Sequence, residues 1–299
     1  VSLLVVGSVA LDSVQTPFGK RDEMLGGSAV YCAIAASHFT RVRLVGVVGE
    51  DFPRDAVELL RTRRIDLSGL EIKRGKTFRW GGVYSEDMNE RTTLNTALNV
   101  FQDFRPRIPD ESRRTAYAFL GNISPSLQLN VLDQMERTRF VAMDTMNFWI
   151  DRAREELLSV LRKVDAVLIN ESEAKQLSGN STLVKATRII QELGCHTVLV
   201  KLGEHGCYHV CRDECFVAPA YPLEVVRDPT GAGDSFAGGF MGYLSQVGRS
   251  DARTLREAVV YGSVMASFAV EDFGVEGLVE LTDTDIARRY EEFRQLVSF

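Results

Sequence analysis

Residues 228–236 read Asp-Pro-Thr-Gly-Ala-Gly-Asp-Ser-Phe, and their types and spacing suit chemistry on a phosphoryl group. Pro229 disfavours helical backbone at Asp228, while Gly231 and Gly233 let the chain turn tightly with no Cβ in the way. A helix starting at such a turn offers unpaired amides and the positive end of its dipole, and both favour an anion. Asp234 falls in the first helical turn, where the same field keeps a carboxylate ionised. It could accept the proton of an alcohol as that oxygen attacks a γ-phosphoryl group, with the N–H groups of Gly231, Ala232 and Gly233 holding the transferred charge. The plainer alternative is a glycine turn in which Asp234 only stabilises the helix. Two other nucleotide motifs fail on spacing. A dinucleotide fingerprint needs a third glycine where Phe236 stands, and a Walker loop ending in Gly75-Lys76-Thr77 needs a glycine where Leu70 stands.

The elements that must position this turn follow from hydrophobic patterning. Short apolar runs at 3–9, 42–48, 116–120, 140–143, 166–169 and 197–202 alternate with helix-like stretches, which predicts an α/β fold with a mostly parallel sheet covered on both faces. The first run leads through Gly26-Gly27 to an Ala-rich helix at 28–39, and Pro53 opens a helix at 54–63. Apolar residues spaced by three and four make 232–246, 254–270 and 283–296 helical. Residues 76–98, rich in Thr, aromatics and turn formers, predict a hairpin outside the main sheet. There is no internal repeat or linker-like run, so 1–299 is expected to form one domain.

Composition narrows the partners. The 299 residues carry Lys+Arg 35 against Asp+Glu 41, a net charge of -6, with 45% hydrophobic and 25% charged residues. That is ordinary globular composition, and the mild acidic balance offers no cationic surface for nucleic acid. No stretch reaches about 18 uninterrupted apolar residues, and the first residues lack a basic leader, so a cytoplasmic protein without a membrane partner is expected. Five cysteines (Cys32, Cys195, Cys207, Cys211 and Cys215) are odd in number and sparse, which predicts reduced thiols. His205, Cys207, His209 and Cys211 alternate, with Cys215 nearby. Strand neighbours two residues apart are splayed by about 7 Å, however, and strand packing is the expected role rather than zinc. His38 reads as a helix-end residue.

Residues 228–236, the Gly26-Gly27 pair and the tetrapeptide Asn170-Glu171-Ser172-Glu173 together resemble the ribokinase, or PfkB, family of carbohydrate kinases, in the family's order and over nearly the whole chain. The resemblance implies a Rossmann-like core with a small β lid formed by residues 11–24 and 70–98. It implies transfer of the γ-phosphate of ATP to a hydroxyl of a sugar or sugar-like molecule, with a nucleoside acceptor as the alternative. It places the catalytic base on Asp234 and the anion hole on Gly231, Ala232 and Gly233. Asn170 and Glu173 would organise magnesium, largely through water. Lys201, Gly203, Glu204 and Gly206 would form the nucleotide loop, joined by Asn170 and Gly233, with Lys201 standing where the family usually has Thr. Asp228, Thr230 and Gly274 correspond to a monovalent-cation site of many members, open to potassium.

For the acceptor, the resemblance implies Asp12 as the binder of vicinal hydroxyls and Gly26-Gly27 as the point of close approach to a ring. Tyr31 stands where ribokinase and adenosine kinase members carry Asn. Asn122, Asp144 and Asn147 follow predicted strands at the ends where open α/β sheets bind ligands, and they join the acceptor candidates. Phe78, Trp80 and Tyr84 could stack on a nucleoside base or simply pack the lid. The resemblance also implies a homodimer, since lid strands in the family often pair across a two-fold axis. A catalytically silent ligand-binding relative is the alternative from another class.

Overall fold

The computed structural model describes residues 2–88, 90–212 and 214–298. In chain order the strands are β1 (Ser2–Val6), β2 (Ala10–Thr16), β3 (Gly19–Gly26), β4 (Arg41–Gly49), β5 (Ile65–Lys73), β6 (Phe78–Tyr84) and β7 (Arg91–Ala97). They continue with β8 (Tyr117–Leu120), β9 (Phe140–Asp144), β10 (Ala166–Asn170), β11 (Thr197–Lys201), β12 (Cys207–Cys211) and β13 (Glu214–Ala218). The large sheet has the order β13-β12-β11-β10-β9-β8-β1-β4-β5, parallel from β5 to β11 and antiparallel at the β12 and β13 edge. The small sheet has the order β3-β2-β6-β7.

Alternation along β1 explains the layering. Leu3 and Val5 enter one core with the helices Ser28–Ser37, Ala232–Val247 and Ala252–Ala269. Leu4 and Val6 enter the other, against Pro125–Gln134, Arg154–Leu161, Glu171–Ser178 and Leu183–Glu192. Near-continuous apolar strands are the mark of a sheet covered on both faces. The helix Ser28–Ser37 is buried from Ser28 to Ala36 and packs so closely on Ala232–Val247 that a Cβ at Gly238 would overlap the Cys32 carbonyl oxygen.

Several boundaries differ from expectation. The run at 3–9 is strand only to Val6, and the helix expected to reach 39 stops at Ser37. Residues 11–24 lie within a hairpin, β2 paired antiparallel with β3. The small sheet does not begin at residue 70: Leu70, Glu71, Ile72 and Lys73 pair with Gly46, Val47, Val48 and Gly49, so they extend β5 at the edge of the large sheet. The chain crosses to the small sheet at Gly75, whose φ of 128 a glycine adopts without strain.

Candidate active site

Parallel register brings Asp144, Asn170 and Lys201 to neighbouring strand ends, since Leu168 pairs with Asp144 and Asn170 with Lys201. Beside them lies the glycine turn. Gly231, with φ 75, is the N-cap of Ala232–Val247, and Asp234 sits in the first turn. Ala232 N–H donates to the Pro229 carbonyl at 3.2 Å, so one amide expected in the anion hole is already used. Among the described residues the N–H groups of Gly231, Gly233 and Asp234 find no acceptor. A helix start leaves such donors open, and open donors at the positive end of a helix favour an anion.

Lys201 covers this turn. A Cβ on Gly233 would lie 2.9 Å from Lys201 Nζ, and the same ammonium donates to Asp144 Oδ2 at 2.8 Å. Burial would push the lysine down, but the carboxylates of Asp144 and Glu173 hold it above its ordinary value. Asp234 is half-buried, and burial, then the Asp144 charge, push its carboxyl up to about 7 against the pull of Lys201. Glu173 is raised by the same two causes. Its position is set by a capping box: Asn170 Oδ1 accepts from Glu173 N–H at 2.8 Å, and Glu173 Oε2 accepts from Asn170 N–H at 2.8 Å.

Asp228 is fully buried, with Oδ1 accepting from Thr230 N–H at 2.9 Å and Oδ2 from Gly274 N–H at 3.1 Å. It therefore ties the turn to the loop after Ala252–Ala269. The loop from β11 to β12 runs through the short turn Gly203–His205, with Gly203 at φ 60, Gly206 at φ 95 and Glu204 exposed. His205 lies in that turn, outside β12 and away from the buried Cys207 and His209. Among the described residues, no three His, Cys, Asp or Glu side chains gather to hold a metal ion. His38 bonds the Leu278 carbonyl through Nε2 at 3.0 Å at the helix end.

A second group forms where the small sheet meets the core. Asp12 accepts from Gly27 N–H at 3.3 Å, and a Cβ on Gly26 would overlap its carboxylate. Burial, with Asp228 nearby, pushes Asp12 up to about 7. Ser8 and Ser28 exchange backbone-to-hydroxyl bonds at 3.2 and 3.0 Å, fixing the approach of the Gly26-Gly27 link to β1. Tyr31 is 1% exposed; its ring occupies the space a Cβ on Gly231 would need, and its hydroxyl has no partner among the described residues.

Three of the candidates at strand ends stand apart from this group. Asp144 is held by Lys201, Asn122 accepts from Trp149 Nε1 at 3.0 Å, and Asn147 is exposed with its amide on Gln176 at 2.5 Å. The small sheet supplies residues that spacing did not reveal. Asp12 pairs with Trp80 and Tyr84 with Arg91, so these side chains share a face. The Arg91 guanidinium lies 5.1 Å from the Trp80 ring centroid, and its charge favours the ionised forms of Asp12, Asp234 and Glu173. Thr230 donates to the Tyr84 hydroxyl at 3.1 Å, which joins the small sheet to the glycine turn. Only strand register could have pointed to Arg91, because nothing local marks it.

A family model described as the pfkB family carbohydrate kinase matches residues 11–280. The cytidine kinase of Thermococcus kodakarensis is 31% identical over 280 residues, 92% of this chain and 98% of that protein. The 2-dehydro-3-deoxygluconokinase of Thermoproteus tenax is 27% identical over 260 residues, 80% of this chain and 78% of its own. Among solved structures, the adenosine kinase of Sinorhizobium meliloti superposes with a TM-score of 0.80 at 22% identity, covering 97% of this chain and 99% of that one, a likeness of fold. Among the described residues no helix is long and apolar enough to cross a membrane. With a family model spanning most of its length and a relative above 30% identity along nearly all of it, the chain belongs to the pfkB family of carbohydrate kinases, phosphotransferases acting on sugars and nucleosides.

Proposed function

We propose that the chain transfers the γ-phosphate of ATP to a hydroxyl of a nucleoside. The observation that carries this reading is the shared face of Asp12 and Trp80: a carboxylate suited to vicinal ribose hydroxyls lies beside an aromatic surface suited to a base. The cytidine kinase relative supports the same choice. Asp234 takes the acceptor proton as the acceptor oxygen bonds to the γ-phosphorus; the bond to the β–γ bridging oxygen breaks, and ADP leaves with that electron pair. The open amides of Gly231, Gly233 and Asp234 receive the transferred charge. The small sheet acts as a lid, with Tyr84 and Arg91 closing on the turn and excluding water.

Magnesium fits beside Asn170 and Glu173, where the Asp144 charge already disfavours a second ionised carboxylate and a cation would relieve it. When bound it would supply positive charge to the nucleotide phosphates, through water rather than a cage of protein ligands. No step here uses potassium; Asp228, with Thr230 and Gly274, serves to hold the turn.

Asp234→Asn tests the base. ADP release, measured over a panel of nucleosides and sugars, should show a nucleoside preferred by the native chain and a fall in kcat of about 10²–10⁴-fold in the variant. A variant near the native rate removes Asp234 from the mechanism, and a preferred sugar without a base removes the nucleoside.

A further inference from the structure

We infer that Lys201 is a catalytic residue that touches the phosphoryl group in transfer, and that Asp144 positions it there. The inference rests on the reading of Asp234 and the glycine turn given above, and it moves both residues from the roles their places in the sequence imply. Lys201 ends β11 just before the loop to β12, and Asp144 ends β9 before polar loop residues.

Three observations carry it. The first is position: Nζ reaches across to Gly233 rather than toward the exposed turn Gly203–His205, so close that a Cβ there would lie 2.9 Å away. Gly233 is one of the residues whose N–H is open, so the ammonium lies beside a residue with a free amide donor. The second is capacity. An ammonium has three donors, and among the described residues Asp144 is the sole hydrogen-bond partner of this one, leaving two for a ligand. The third is restraint. The Asp144 side chain is 8% exposed and that of Lys201 19%, so the pair is drawn into the protein at the end of two parallel strands, with β10 between them. A buried, tethered charge needs no reorganisation as the reaction proceeds, which is where electrostatic stabilisation is most effective.

The chemistry follows from charge. As the acceptor oxygen bonds to phosphorus and the bridging bond breaks, negative charge spreads over the three equatorial oxygens of the phosphoryl group. The proton goes to Asp234 and the electron pair of the broken bond to ADP. The open amides take part of the equatorial charge as fixed partial dipoles, and Lys201 supplies a full positive charge on the same side. The Asp144 carboxylate, with Glu173, keeps the lysine ionised and holds its ammonium by a hydrogen bond of 2.8 Å, while the Asp234 carboxylate takes the proton.

Lys201→Thr, the residue usual for the family at this place, gives the decisive variant, with Lys201→Arg and Asp144→Asn beside it. Steady-state kinetics with the preferred acceptor and calorimetric ADP binding should show kcat reduced about 100-fold or more in Lys201→Thr, with ADP affinity changed less than threefold. Lys201→Arg should recover part of that loss, and Asp144→Asn should lower kcat about 10-fold while leaving the acceptor KM within threefold. Loss of ADP affinity with kcat retained would make Lys201 a nucleotide-loop residue and overturn the inference. An acceptor KM raised by Asp144→Asn at unchanged kcat would make Asp144 an acceptor contact, with the same consequence. Thermal midpoints identify any variant that is merely unfolded, in which case Asp144→Asn, which keeps the volume of the side chain, decides. Asp234→Asn run in parallel separates the two readings: a silent Asp234→Asn beside an active Lys201→Thr defeats this inference alone, and an active Asp234→Asn defeats the mechanism beneath it.

Discussion

Asp234 combines two requirements that oppose each other. A base must be ionised to take a proton, yet burial and the Asp144 carboxylate push this group up to about 7. The raised value brings proton affinity close to working pH, where a general base is most effective. The sign is fixed: below about 7 the carboxyl is protonated and cannot act, so kcat/KM for the acceptor should rise with pH and level off above that value. A profile measured from pH 5.5 to 9 should lose about tenfold per unit on its acid side. A flat profile down to pH 5.5 would remove Asp234 as the base. The turn that carries Asp234 was legible in the sequence because Pro229, Gly231 and Gly233 constrain backbone locally. Lys201 above Gly233 was not, since its neighbour is thirty-two positions away and only the packing of the helix on the sheet brings the end of β11 to the helix start. Asn170 and Glu173 illustrate a third case: the tetrapeptide stands out through the family resemblance, and the reciprocal capping bonds that fix Glu173 appear only in the structure.

The small sheet is joined to the core by specific polar contacts as well as by packing. Thr77 is fully buried at the start of β6; its N–H and hydroxyl both donate to Asp51 Oδ1, at 2.7 and 2.8 Å, while Gly49 N–H donates to its oxygen at 3.0 Å. Arg79 continues the network to Asp51 and Glu23 at 2.8 and 2.7 Å. At the far end Tyr84 meets Thr230. The first set anchors the small sheet to the end of β4 and the second joins it to the glycine turn, and they predict different consequences. Thr77→Val strands Gly49 N–H and removes a donor from Asp51, which should lower unfolding stability by about 1–3 kcal/mol in a denaturant titration. Tyr84→Phe removes one partly exposed bond and should leave stability within about 0.5 kcal/mol while raising the acceptor KM several-fold. Equal effects of the two variants on stability, with KM unmoved, would erase the distinction. The density of Thr, aromatics and turn formers over 76–98 made part of this sheet visible in sequence, but its start was not. Leu70 and Ile72 alternate with polar residues as well, and only their pairing with β4 assigns them to the large sheet.

At the scale of the whole molecule, the cleft is assembled against the stability of the fold. Asp12, Glu173 and Asp234 are all raised, with burial the largest cause in each. A carboxyl near 3.8 in the unfolded chain and near 7 in the folded one binds an extra proton on folding between those values. Stability therefore falls as pH rises from about 4 to about 7, and the full penalty remains above that range. His209 works in the opposite direction: it is 3% exposed without a hydrogen-bond partner among the described residues, and burial, aided by Arg256, lowers it to about 4. Its contribution is complete above about 6.5 and is lost as pH falls toward 4. One substitution isolates the cleft. Asp234→Asn removes a titrating group while keeping its shape, so the variant that should be nearly inactive should also be the more stable protein. Its advantage over the native chain should be absent near pH 4, grow through pH 6 and reach about 1–2 kcal/mol by pH 8, once solvent screening at the half-buried carboxylate is allowed for. Denaturant midpoints of both proteins at several pH values measure this difference directly. A variant less stable at pH 8 than the native chain would mean that the Asp234 carboxylate is held by contacts that compensate its burial, and that function and stability are not opposed at this position.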